Sequence, residues 1–85
     1  MKVKTIPQNA WQKTERYTDY PFTAEIPVEN ATSSMFPYAE FEKDDAMTGN
    51  YANVCESYDG GVVVFAKEPP EKDLKITVAL YKGVI

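Results

Sequence analysis

Histidine is absent from this chain, and cysteine occurs only once, at Cys55. Without histidine, the Ser-His-Asp and Cys-His arrangements lack their general base. A single cysteine excludes an internal disulfide, and the usual zinc ligands, histidines and paired cysteines, are missing as well. The sequence therefore predicts a protein that is not an enzyme and that binds no metal or cofactor.

Long apolar runs and clustered positive charge are also lacking. The longest uninterrupted apolar run covers residues 62–66, far fewer than the roughly 20 residues that span a bilayer. Nine Lys and Arg residues are scattered among 13 Asp and Glu residues, for a net charge of −4, whereas nucleic-acid binding needs a basic face. Residues 1–5 contain two lysines with no apolar segment behind them, so we expect no secretory signal. We expect no membrane or nucleic-acid partner, and assembly in a cytoplasm.

The chain length allows one domain with one small core. Its 85 residues are 44% hydrophobic and 13% aromatic, which is too apolar for a disordered chain. We therefore expect a single domain over residues 1–85. A core of this size supplies only a few kcal/mol, and oligomerisation is the remaining route to extra stability when disulfides and zinc are missing.

Alternation of apolar and polar residues predicts strands along most of the chain. The expected strands are residues 3–7, 22–28, 35–42, 62–66 and 74–80, with residues 16–20 as an extension of the second. Met35, Ala39 and Phe41 form the better core face of the third strand. The run at 62–66 is typical of a central strand that is covered on both faces.

Two prolines and one short link add detail to these strands. Pro27 cannot donate to a ladder, so its strand is predicted to lie at an edge or to contain a bulge. Pro69 and Pro70 end the strand at 62–66. The link 68–73 is short enough for the last two strands to form an antiparallel hairpin.

Helical spacing appears after Asp44. Apolar residues recur there at Met47, Tyr51, Val54, Cys55 and Tyr58, with Asp44 or Asp45 as N-cap and Gly60 as a stop. This spacing predicts one helix of about three and a half turns. The element order is then β-β-β-α-β-β. The predicted fold class is α+β, mainly β, with a small antiparallel sheet or sandwich and one helix packed on it.

Few residues have the type and spacing that chemistry requires. Cys55 lies on the apolar stripe of the predicted helix, where a free cysteine acts as a small hydrophobe. Four neighbouring carboxylates, at Glu40, Glu42, Asp44 and Asp45, do not match a calcium loop and are better explained by a helix N-terminus. Residues 59–61 lack the frame of a phosphate loop and are predicted to form a turn.

Exposed aromatic residues are the candidate contact sites. We predict binding or interface roles for Trp11, Tyr17, Tyr20 and Tyr38, since tyrosine and tryptophan anchor many protein interfaces and stack on sugars. For Trp11 the alternative is that it caps the end of the small core. Spacing alone does not separate these two roles.

Five short motifs follow one another along the chain. They are the Ala-Trp segment at 6–11, a Tyr-led strand at 16–26, a turn with Asn-Ala-Thr at 28–34, a Gly-led strand ending in Pro-Pro at 61–70, and an Asp-Leu strand at 73–78. In this order they resemble a small C-terminal module of tail, fibre and capsid-surface structural proteins from phages and prophages of Gram-positive bacteria. None of these motifs is catalytic.

That resemblance implies a virion component that is present in symmetric copies, as a homotrimer, and that contacts other virion proteins. A host-surface glycan is a further candidate partner, through attachment to the host. Two alternatives remain open. One is a carbohydrate-binding module that uses the tyrosines and Trp11, and the other is a small acidic inhibitor that mimics nucleic acid, although the charge of −4 is mild and interleaved with lysines.

Overall fold

The computed structural model describes residues 2–82. Within this range the chain forms seven strands, one 3-10 turn at Gln8–Ala10, and one short helix, α1, at Lys43–Ala46. The strands are β1 Lys2–Ile6, β2 Gln12–Lys13, β3 Phe22–Pro27, β4 Phe36–Phe41, β5 Glu56–Tyr58, β6 Gly61–Ala66 and β7 Leu74–Tyr81. The mainly β class and the strands predicted near residues 3, 22, 35, 62 and 74 are confirmed.

The strands form two antiparallel sheets. The first sheet has the order β1-β7-β4, and the second has the order β2-β3-β6-β5. The free edges of the two sheets approach each other beside β5, where the Ser57 hydroxyl donates a hydrogen bond to the Met35 carbonyl at 2.7 Å. The result is a small sandwich, one of the two architectures predicted.

The core lies between the sheets and is built from one side of each strand. Ile76 and Val78 of β7 face Val62 and Val64 of β6, and all four side chains are buried. Ala39 and Phe41 pack against this cluster, as the alternation in the third predicted strand indicated. Every residue of β6 is buried, so the prediction of a central strand covered on both faces is confirmed.

The helix predicted over residues 44–58 is wrong, because α1 ends after four residues. Gly49 adopts a positive φ of 75°, which stops a right-handed helix. The next residues pair with the second sheet instead: the Ala52 N–H donates to the Phe65 carbonyl at 3.0 Å, and Tyr51 forms a bridge with Ala66. Pairing with a buried strand prevails over a weak helical pattern, and the chain continues into β5.

The hairpin predicted for the last two strands is also wrong. β6 pairs with β3 and β5, whereas β7 pairs with β1 and β4, so the two strands belong to different sheets. The link between them crosses from one sheet to the other. Pro69 and Pro70 lie in this link and lack the N–H groups that a hairpin ladder would use.

Residues 16–20 do not extend β3 as expected. They form a turn, in which the Tyr20 N–H donates to the Tyr17 carbonyl at 3.3 Å. Pro27 confirms the edge prediction in part. β2 pairs with β3 only at Phe22 and Thr23, which leaves one side of β3 free at Pro27.

No helix among residues 2–82 is long and apolar enough to cross a membrane.

Candidate functional site

The candidate site lies on the outer face of the second sheet, over Phe65. Side chains alternate along β6, so Val64 points into the sandwich and Phe65 points away from it. Phe65 nevertheless has no exposed surface, because the turn at residues 16–20 covers it. This turn brings polar and aromatic side chains over the sheet.

Tyr17 is held in place by two contacts. Its ring meets the Phe65 ring edge-on, with centroids 4.8 Å apart and an interplanar angle of 89°. Its hydroxyl donates to Glu56 Oε2 at 2.8 Å. This hydrogen bond, together with the charge of the Glu56 carboxylate, raises the pKa of Tyr17 above the ordinary tyrosine value. The ring is therefore positioned while 41% of the residue remains exposed.

Arg16 completes this small network. Its guanidinium forms an ion pair with the Glu56 carboxylate, and the guanidinium carbon lies 5.8 Å from the centre of the Phe65 ring. Both side chains are about half exposed or slightly less, so the pair contributes at most about 1 kcal/mol to stability. It adds one more contact between the turn and β5.

A groove opens beside this turn and is defined by three parts of the chain. Residues 16–20 form one wall and residues 52–54 form the other, with the buried Phe65 ring beneath them. We call this site the tyrosine groove. Its volume is about 590 Å³, which lies within the range of small-molecule sites.

Tyr20 contributes the second ring of the tyrosine groove. It is half-buried, and the Lys67 ammonium lies 5.8 Å from the centre of its ring. The structure thus brings together two of the four predicted site residues, Tyr17 and Tyr20. It places the other two, Trp11 and Tyr38, elsewhere.

Trp11 lies in the core and is only 8% exposed. Its ring centre is 5.9 Å from that of Tyr51, and Tyr51 stacks on Phe41 at 4.3 Å. The indole Nε1 is buried and has no hydrogen-bond partner among residues 2–82. This position matches the role of a core cap, and Trp11 presents little surface to a binding partner.

Tyr38 lies on the outer face of the first sheet, which points away from the core. Its hydroxyl donates to Glu40 Oε2 at 2.6 Å, and this bond and the Glu40 charge raise the pKa of Tyr38. The cross-strand register places Phe36 beside Tyr81, and Tyr38 beside Ala79. We call the following outward residues of this sheet the aromatic face: Val3, Phe36, Tyr38, Thr77, Ala79 and Tyr81. Thr5, Glu40 and Lys75 also point outward at its border.

The four neighbouring carboxylates of the sequence, at 40, 42, 44 and 45, do not form one cluster. Asp45 is buried and forms an ion pair with the Lys72 ammonium at 3.1 Å, an interaction that raises the pKa of Lys72. Asp44 lies in the first turn of α1, and the N-cap is Glu42, so the prediction of Asp44 or Asp45 as N-cap is wrong. Glu40 accepts the bond from Tyr38. Across the described part of the chain, no group of three or more acidic, cysteine or histidine residues is placed to hold a metal ion.

Cys55 packs against the core, as the sequence predicted, although it lies on an extended segment and not on a helix. Burial raises the pKa of its thiol, and a hydrogen bond from the Ala39 backbone offsets part of this effect. The thiol is therefore mainly protonated near neutral pH, which suits a packing role better than a nucleophilic one.

Sequence reasoning missed the residues that complete both surfaces. Asp19 and Asn53 line the tyrosine groove, but they come from segments that are distant in sequence and meet only in the fold. Phe36 and Tyr81 dominate the aromatic face, and their positions on the polar side of two alternating strands were the available signal.

Comparisons of this chain with family models, curated proteins and solved structures found no match. The similarity to phage modules stays a prediction.

Proposed function

We propose that this chain is a non-enzymatic structural module of a bacteriophage virion, located in a tail, a fibre or the capsid surface. In this role it associates with copies of itself, as a homotrimer, and with other virion proteins after assembly in the bacterial cytoplasm. The virion location and the trimeric state are supported by the resemblance of the sequence motifs. The aromatic face is the single structural observation that carries the contact role.

The aromatic face exposes several large apolar and aromatic side chains. Phe36 is 62% exposed, Tyr81 57% and Val3 70%. Phe36 and Tyr81 are direct cross-strand neighbours, and Tyr38 lies two residues from Phe36 on the same strand. Phe36, Tyr38 and Tyr81 thus form one exposed cluster, and Val3 lies farther along the sheet, opposite Thr77. Exposed apolar clusters mark sites of protein contact.

The chemistry of this face favours a protein partner, and in particular another copy. Tyrosine and phenylalanine are enriched in the centres of interfaces. Glu40 and Lys75 lie on the same face beside Thr77, so one copy offers both signs of charge next to its aromatic residues. In a ring of three copies, one half of this face meets the other half on the next copy, so the charged residues can pair while the aromatic residues are covered.

Sedimentation equilibrium at micromolar concentration tests the proposal. The unaltered chain is expected to form trimers, whereas Phe36→Lys and Tyr81→Lys are expected to be monomers, since each substitution buries a charge in the contact. Val54→Lys is the matched control, because Val54 is 61% exposed and lies away from the aromatic face. A monomeric unaltered chain at high micromolar concentration, or association that survives both lysine substitutions, would contradict self-association.

The virion location requires a separate measurement. Purified particles from the source phage or prophage are expected to contain the chain in a fixed ratio to a major structural protein, as measured by quantitative mass spectrometry. Its presence only in the soluble lysate fraction would argue against a structural role in the particle.

A further inference from the structure

We infer that the tyrosine groove binds one or two units of a neutral saccharide. This site would give the module a ligand-binding activity in addition to protein contacts. It lies on the second sheet, whereas the aromatic face lies on the first. The inference therefore rests on the groove alone and does not require self-association.

The aromatic part of the groove is fixed before any ligand arrives. Tyr17 is held by the edge-on contact with Phe65 and by the bond from its hydroxyl to Glu56. A ring fixed in advance loses little conformational entropy on binding. The Tyr17 and Tyr20 rings offer apolar surfaces to the C–H faces of a sugar, and their hydroxyl ends remain polar.

The polar part of the groove offers donors and acceptors around these rings. The exposed residues Thr18, Asp19 and Asn53 line the two walls. Hydroxyl and amide groups both donate and accept hydrogen bonds, and a carboxylate accepts them. A sugar hydroxyl also donates and accepts, so a polyhydroxyl ligand matches this lining better than a purely apolar one does.

The charge distribution favours a neutral ligand over an anionic one. Arg16, the cation of the lining, is already paired with Glu56, and the nearby Lys67 ammonium lies against the Tyr20 ring. The Asp19 carboxylate adds a negative charge on the same wall. A phosphate or an acidic sugar would meet this carboxylate without an unpaired guanidinium, and the net charge of −4 adds to the repulsion.

The walls also suit a saccharide better than a proline-rich peptide. Peptides of that type dock in grooves lined by aromatic side chains. The tyrosine groove has two tyrosines on one wall, and the opposite wall consists of Ala52, Asn53 and Val54. Such a short groove fits one or two sugar rings.

The experiment is a two-dimensional amide NMR titration of the full chain. The probes are short oligomers of glucose, galactose and N-acetylglucosamine, together with a sialylated oligosaccharide and a proline-rich peptide. At least one neutral saccharide is expected to shift the amides of residues 16–20 and 52–54. Tyr20→Ala and Asp19→Ala are each expected to lower the affinity for that saccharide about tenfold, as for hot-spot residues.

Tyr38→Ala is the control, because Tyr38 is an exposed tyrosine outside the groove, and its loss should leave saccharide affinity unchanged. Asp19→Ala alters only an exposed side chain, so its result stands even where Tyr20→Ala fails to fold. The inference is overturned where no neutral saccharide shifts the groove amides, or where only the sialylated or the peptide probe does. Unchanged affinity in a folded Asp19→Ala and Tyr20→Ala pair would overturn it as well.

Discussion

Gly61 is the residue at which the second sheet tolerates no side chain. It lies between Pro27 of β3 and Tyr58 of β5. A Cβ atom at this position would lie 2.6 Å from the Tyr58 hydroxyl oxygen and would also clash with the Ile26 carbonyl. Backbone cannot retreat as a flexible side chain can, so the strands would have to separate.

Gly61→Ala is therefore expected to lower the free energy of unfolding by about 2–3 kcal/mol through overpacking. Gly49→Ala is the comparison, since a Cβ there meets nothing within 4 Å and only the positive φ of 75° is unfavourable. That substitution is expected to cost about 1 kcal/mol. Urea denaturation measures both values, and an equal loss at the two sites would contradict the close approach.

Tyr17 and Tyr38 provide a paired test of hydrogen bonding at the residue scale. The pKa of each is raised by a hydrogen bond to a carboxylate, from Tyr17 to Glu56 and from Tyr38 to Glu40. Because each folded-state pKa lies above the unfolded one, the bond stabilises the fold at neutral pH. Its contribution is lost as the pH rises through the folded-state pKa of the tyrosine.

Glu56→Gln is expected to lower the pKa of Tyr17 and to leave that of Tyr38 unchanged. Glu40→Gln is expected to have the opposite pattern, so each variant is the control for the other. NMR titration of the tyrosine ring carbons measures both pKa values. A change at both tyrosines in either variant would show that the shifts come from the overall charge and not from the individual bonds.

Residue positions were predictable where burial decides them. Cys55 packs against the core as expected, because an apolar side chain seeks the interior whether its backbone is helical or extended. The roles of the tyrosines were harder to assign from sequence. Tyr17 and Tyr20 share a groove only because residues 16–20 fold back over Phe65, and this contact spans more than 40 positions.

At the scale of elements, the Asn50 side chain ties the segment between α1 and β5 to the end of β6. The Asn50 side-chain amide donates to the Glu68 carbonyl at 2.9 Å, and its oxygen accepts from the Glu68 N–H at 3.0 Å. The Asn50 carbonyl accepts a further bond from the Lys67 N–H at 2.8 Å. These bonds extend the β6 ladder beyond its end and fix one wall of the tyrosine groove.

Asn50→Ala is expected to cost about 1–2 kcal/mol of stability, because two hydrogen bonds to Glu68 are lost. It should also speed hydrogen exchange of the amides between residues 48 and 54 relative to those of β6. Asn53→Ala is the control, since Asn53 is exposed on the groove wall. Equal exchange rates in the two variants would mean that the backbone pairing alone holds the segment.

The strands were predictable element by element, and the helix was not. Alternation revealed β3, β4 and β7 because a half-buried strand has a period of two. The apolar residues after Asp44 imitate a helical stripe. In the fold, however, Met47 is 75% exposed and Val54 is 61% exposed, so that stripe is not one buried face. Local spacing carries no information on the competing partner, which is β6.

Strand pairing at the scale of the whole molecule joins distant parts of the chain. β1 pairs with β7, with Lys2 opposite Val78 and Ile6 opposite Leu74. The predicted hairpin is wrong for the same reason, since β7 pairs along its two edges with β1 and β4, which are distant in sequence. Sequence patterns give each strand its buried face, whereas the partner of each strand depends on the packing of all of them.

This interdependence leads to a prediction about unfolding. The core cluster combines Ile76 and Val78 from the first sheet with Val62 and Val64 from the second, so neither sheet keeps a buried face without the other. We therefore expect one cooperative, two-state transition in urea. Far-UV circular dichroism reports the strands. The fluorescence of Trp11, the single tryptophan, reports the core at its contact with Tyr51.

The two signals are expected to give the same midpoint and the same slope, about 1 kcal/mol per M urea for a domain of this size. Trp11→Phe is the control for the probe, because it removes the fluorescence signal and should leave a single transition in circular dichroism. A fluorescence midpoint well below the circular dichroism midpoint would contradict the prediction. Trp11 would then lie in a region that opens before the sandwich does. Its role as a core cap would be contradicted.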